Sequence, residues 1–155
     1  MKNEQIYLDH AATTPLRKEV LDSMMPFLET DFGNPSALYQ QGQIARKAVD
    51  ESRELIGEIL RARVGEIVIT SGGTESDNAA IKSSALAMRN FGNHIITSQI
   101  EHEAVLNSCE QLVDFGFDIT FLPVDSQGFI NTEDLIKEIR SETVLISLMM
   151  ANNEI

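Results

Sequence analysis

The chain has 155 residues, 43% of them hydrophobic and 23% charged, which fits a single globular domain with an ordinary core. Its 24 acidic against 12 basic side chains give a formal charge of -12, which argues against binding to a phosphate backbone or an anionic membrane. No apolar run approaches the roughly 18 residues that span a bilayer, and the polar start Met1-Lys2-Asn3-Glu4-Gln5 lacks a signal-peptide pattern, so a cytoplasmic protein is expected.

The first third reads as two helices. Thr14 is placed to cap the first and Pro15 to take its first helical position, with Val20, Leu21, Met24, Phe27 and Leu28 forming an apolar stripe up to about Glu29. The loop Phe32-Gly33-Asn34-Pro35-Ser36 leads to a longer helix, where Ile44, Ala48, Leu55, Ile56 and Ile59 recur at helical spacing through about Ala62. Strand and helix then alternate. The expected strands are Ile67-Val68-Ile69-Thr70, His94-Ile95-Ile96-Thr97, Asp118-Ile119-Thr120-Phe121-Leu122 and residues 144–150. The helices between them are expected from about Glu75 to Asn90, Glu103 to Asp114 and Thr132 to Arg140. Each crossover is long enough for a parallel connection, which predicts an α/β fold with a mostly parallel sheet and flanking helices, preceded by two helices.

Parallel strands deliver their carboxyl ends to one edge, the usual ligand site of an open α/β sheet. The turn after the first expected strand, residues 98–102, Asp125 and Asn152-Asn153 should meet there. In Ser71-Gly72-Gly73-Thr74, two glycines permit close backbone approach, and the free N–H groups of the next helix could hold a phosphate. A plain capped turn, with Thr74 and Asp77 in a capping-box-like pattern, explains the same letters. The glycine spacing is neither that of a Walker loop nor that of a dinucleotide fingerprint, which disfavours ATP and NAD. His102, between Glu101 and Glu103, reads as an acid/base or ring-stacking imidazole, or as a surface histidine at a helix start. It lacks the second histidine of a zinc-protease helix, and His94 should lie at the opposite end of the same strand, so no metal site is expected. The Asn152-Asn153 pair, taken alone, is equally consistent with an ordinary turn. Cys109, the sole cysteine, recurs with Val105, Leu112 and Val113 at helical spacing and reads as a small core residue, with a reactive thiol the alternative.

Together these segments resemble the cysteine desulfurases of the NifS/IscS type, pyridoxal-phosphate (PLP) enzymes of the class V aminotransferase group. The resemblance is carried in order by Tyr7-Leu8-Asp9-His10-Ala11-Ala12-Thr13-Thr14-Pro15, Gly33-Asn34-Pro35-Ser36, Thr70-Ser71-Gly72-Gly73-Thr74-Glu75-Ser76-Asp77-Asn78, Glu101-His102-Glu103-Ala104-Val105, Leu122-Pro123-Val124-Asp125 and Ala151-Asn152-Asn153-Glu154-Ile155. It implies that Gly73 and Thr74 anchor the cofactor phosphate, that His102 stacks on the pyridine ring and takes part in proton transfer, and that Asn153 reaches the cofactor's phenolic oxygen. The implied reaction takes sulfur from L-cysteine, leaving alanine and an enzyme persulfide that feeds iron–sulfur cluster or thio-modification pathways.

The resemblance further implies that residues 1–14 accompany the family's small domain, and that residues 15–155 form the N-terminal part of the PLP-binding large domain. The family's Schiff-base lysine, pyridine-pairing aspartate, carboxylate-binding arginine and persulfide cysteine would all lie beyond residue 155, and none of the lysines matches the missing one. The chain is therefore expected to be the N-terminal portion of such an enzyme, inactive alone and holding PLP weakly or not at all. A homodimer or a complementing C-terminal half, and a sulfur-acceptor protein, are the implied partners. Selenocysteine lyase, cysteine-sulfinate desulfinase and a small-amino-acid aminotransferase are the related alternatives, and a non-catalytic binding or dimerisation module is a further one.

Overall fold

A computed structural model describes residues 6–155. The chain forms two compact units, the first ending at Ile69 and the second spanning Thr70–Ile155.

Among its described residues the first unit holds two helices, α1 (Lys18–Glu29) and α2 (Gln40–Leu60), and a 3₁₀ turn over Val64–Glu66. α1 starts later than the Thr14-Pro15 signal predicts. Arg17 is its N-cap in an extended conformation, and the Arg17 carbonyl is the first to accept helical bonds, from the Val20 and Leu21 N–H groups. A proline fixes its own φ but does not oblige the next residues to turn. α2 ends on Arg61 in the left-handed region, where the Arg61 and Ala62 N–H groups close on the Glu58 and Gly57 carbonyls.

The second unit is α3 (Gly73–Met88), β1 (His94–Ser98), α4 (Glu103–Asp114), β2 (Asp118–Leu122), α5 (Thr132–Glu138) and β3 (Thr143–Ser147). The three strands are all parallel, in the order β2-β1-β3. Central β1 is buried along its whole length. Ile95 meets Ile81 and Ala85 of α3 and Val105, Cys109 and Leu112 of α4 in one apolar cluster closed by Phe117. Cys109 is thus a core residue, and burial pushes its thiol up to about 11.

Two strand expectations need correction. Residues 67–70 form no strand: Val68 and Ile69 are 78% and 55% exposed, and no ladder partner lies beside them among the described residues. β-branched residues favour an extended chain, but a strand exists only where a neighbour accepts its hydrogen bonds. Among the described residues the sheet accordingly has three strands where four are predicted. The last strand ends at Ser147 instead of 150, because the Met149 N–H leaves the sheet to donate to the Glu101 carboxylate, 2.8 Å away.

Candidate active site at the carboxyl edge of the sheet

Glu101 and His102 leave the carboxyl end of β1, and residues 148–155 leave the carboxyl end of β3. Because the strands are parallel, both exits fall on one edge. Two hydrogen-bonded ties join them. Glu101 Oε1 accepts from Ser98 Oγ and from the Met149 N–H, both at 2.8 Å. Asn152 Nδ2 donates to the Ile100 carbonyl at 2.8 Å, while its Oδ1 accepts from the Glu154 and Ile155 N–H groups. Asn152 therefore spends its amide on holding the segment, whereas the exposed Asn153 makes no side-chain hydrogen bond among the described residues.

His102 caps α4. Its Nδ1 accepts the Ala104 N–H at 3.0 Å. An N–H donor at Nδ1 requires that nitrogen to be unprotonated, so the neutral ring carries its proton on Nε2. The imidazole is held by one nitrogen and presents the other, and the residue is exposed.

Gly73 and Thr74 begin α3, and their height relative to His102 follows from helix geometry. α3 and α4 each lead into the amino end of a strand, and those strands are parallel, so the helices run the same way. Lys82 Nζ donates to Gln111 Oε1 across them. Nine residues back along each helix, about 13.5 Å at the usual rise, lie Gly73 and His102. The first turn of α3 and the His102 cap of α4 thus lie at the same ends of two helices that run in the same sense.

The turn at α3 differs from the expected capping box. Ser71 donates both its N–H and its Oγ–H to Glu75 Oε2, at 2.7 and 2.6 Å, and the Ser76 N–H closes on the Gly72 carbonyl. Hydrogen bonding to Ser71 holds the Glu75 carboxyl below the ordinary range. The N–H groups of Gly73, Thr74 and Glu75 precede the first intrahelical bond and make no backbone hydrogen bond among the described residues. A Cβ built on Gly72 or Gly73 would meet no atom within 4 Å. The glycines leave open space above free donors, which suits a phosphate.

Asp125, also expected on this edge, is engaged in a turn: its Oδ1 accepts the Gln127 and Phe129 N–H groups at 2.8 and 2.9 Å. His94 lies at the other end of β1, as predicted, bridging Thr143 and Thr120 on the flanking strands. Among the described residues, no cluster of His, Cys, Asp and Glu could hold a metal ion. The residue that sequence reasoning missed is Glu101. Only its place beside His102 is visible in the sequence, and its partner at Met149 is 48 positions away.

The Aminotransferase class-V family profile matches residues 6–155. The chain is 55% identical over 155 residues to a protein from Dictyoglomus turgidum named "Cysteine desulfurase IscS", covering 100% of this chain and 39% of that one. Among solved structures, a "NIFS-LIKE PROTEIN" superposes with a TM-score of 0.92 at 37% identity, over 96% of this chain and 41% of that one. "SspA in complex with cysteine" superposes with a TM-score of 0.89 at 42% identity, over 96% and 43%. The chain thus spans about two fifths of the length of these relatives, and by the match over nearly all its residues it belongs to the class V aminotransferase family.

Proposed function

We propose that this chain supplies the amino-terminal part of the PLP site of a cysteine desulfurase, an enzyme that takes sulfur from L-cysteine and leaves alanine. The observation that carries this reading is the meeting of three polar features at one sheet edge: the open first turn of α3, the Nε2 of a capped imidazole and the unengaged amide of Asn153. The likeness to proteins named cysteine desulfurases, and to a structure titled as a complex with cysteine, supplies the substrate class.

In this reading the backbone N–H groups at Gly73 and Thr74, with the Thr74 hydroxyl, hold the cofactor phosphate. When bound, PLP supplies an electron sink for bond cleavage at the amino acid. His102 faces the pyridine ring and takes part in proton transfer there; while Nδ1 accepts from the helix cap, Nε2 carries the ring's exposed N–H and is the donor it presents. Asn153 donates its amide to the cofactor's phenolic oxygen. Residues 15–155 then form the leading part of the PLP-binding domain, and 1–14 accompany the small domain. Further pairing along the open side of β3, by a second copy or by the rest of the enzyme, is part of the same proposal. So are a cytoplasmic location and a sulfur-acceptor protein. No helix among the described residues is long and apolar enough to cross a membrane.

The test is to supply the enzyme at the full length of its relatives with PLP, L-cysteine and a thiol reductant that releases the persulfide sulfur as sulfide, and to measure sulfide and alanine. Stoichiometric formation of both is expected, with no turnover from the 155-residue chain alone. A full-length enzyme that binds PLP but releases no sulfur from L-cysteine overturns the reading.

A further inference from the structure

We propose that Glu101 is a positioning residue whose buried carboxylate locks the loop bearing His102 to the segment bearing Asn153, setting their separation before any ligand arrives. The consequence for catalysis rests on the function proposed above, while the lock itself stands on hydrogen bonds alone.

Glu101 is only 7% exposed, and burying a carboxylate costs free energy unless something answers its charge. Among the described residues no cationic side chain pairs with it. Its observed partners are two donors on one oxygen: Ser98 Oγ, the last residue of β1, and the Met149 N–H, two residues past β3. Bonds to an ionised acceptor are about twice as strong as neutral ones. The carboxylate therefore fastens the exit of β1 to the exit of β3 at the point where the ladder between them stops.

The placement gives the tie its purpose. Glu101 immediately precedes His102, and Met149 lies four residues before Asn153. A second strut, from Asn152 Nδ2 to the Ile100 carbonyl, joins the same two segments, one residue before Glu101 on one side and three residues after Met149 on the other. Two ties between two short segments remove the hinge freedom that one would leave. Neither Glu101 nor Asn152 needs to touch a ligand: each acts through its neighbour.

The experiment compares Glu101→Ala, Glu101→Gln and Asn152→Ala in the complete enzyme, with PLP bound and after its removal. In the PLP-free protein, amide hydrogen exchange over residues 148–153 should quicken about tenfold or more in Glu101→Ala. It should stay near wild type in Glu101→Gln, whose amide oxygen keeps the acceptor, with α3 and α4 unchanged in all three. In the loaded enzyme, with a thiol reductant present, Glu101→Ala should lower kcat for sulfide release roughly ten- to hundredfold. KM should change little, the visible absorbance of the bound cofactor should shift, and Glu101→Gln should restore most of the loss. If Glu101→Ala does not fold, Asn152→Ala must show the local quickening by itself. Unchanged exchange over 148–153, or a rise spread evenly through the molecule, overturns the lock. Local quickening with normal kcat and spectrum overturns its positioning role. A wild-type enzyme that takes up no PLP sinks the functional reading instead, and the exchange data still judge the lock.

Discussion

Single residues in the second unit divide into those that hold the frame and those left available. Gly73 belongs to the second group, because a methyl group there would meet open space. Gly73→Ala should therefore leave the melting temperature of the enzyme within about 2 °C of wild type while weakening retention of PLP on dialysis. Equal losses of both would show that the glycine serves packing. Cys109 belongs to the first group. Its thiol titrates at about 11 against an ordinary 9.0, through burial first and the neighbouring Glu101 and Glu110 carboxylates second. A thiol-specific reagent at pH 8 should label it only after denaturation. Stability should fall as pH rises from about 9 towards 11, since over that range the unfolded thiol loses its proton and the folded one keeps it. His94 has the opposite sense. Burial above all, and the Arg140 cation next, hold its imidazole below 6.5, against the opposing Asp118, Glu138 and Glu142 carboxylates. The unfolded histidine thus takes up a proton at higher pH than the folded one. The stability that neutral His94 contributes is complete above about 6.5 and is lost as pH falls through the lower folded value. A urea midpoint that did not decline over that acid range, measured against His94→Gln, would contradict this.

At the scale of elements, contact decides where local preference leaves a choice. α4 matches its predicted limits, Glu103 to Asp114, because apolar spacing and a capping residue agree there. Residues 67–70 have the composition of a strand yet no partner, and stay outside the sheet. β3 stops three residues early because a carboxylate captures the next free N–H. The entry to β1 is equally a matter of contact. The His94 N–H donates to the Glu142 carbonyl at 3.0 Å, and a Cβ on Gly92 would lie within 3 Å of that carbonyl group. Gly92→Ala should therefore cost about 1–3 kcal/mol by forcing the two segments apart, read as a lower midpoint in urea with an unchanged slope.

For the whole molecule, β3 has β1 on one side and no strand on the other among the described residues. An unpaired parallel edge with apolar content invites association. Light scattering from the 155-residue chain should rise with concentration, and Ile146→Lys, at a position 41% exposed, should reduce it. What the sequence determined by itself was the order of β1, α4 and β2, their parallel sense, the core place of Cys109 and the delivery of His102 and residues 152–153 to the carboxyl ends of parallel strands. These follow from apolar periodicity and from crossover length, both of which are local. Only the tertiary structure decided that 67–70 is no strand, that Asp125 builds a turn, that His102 spends Nδ1 on its own helix, and that Glu101 reaches Met149. Each of those depends on which hydrogen-bonding group lies nearest in space, and across 48 residues of chain no spacing rule records that.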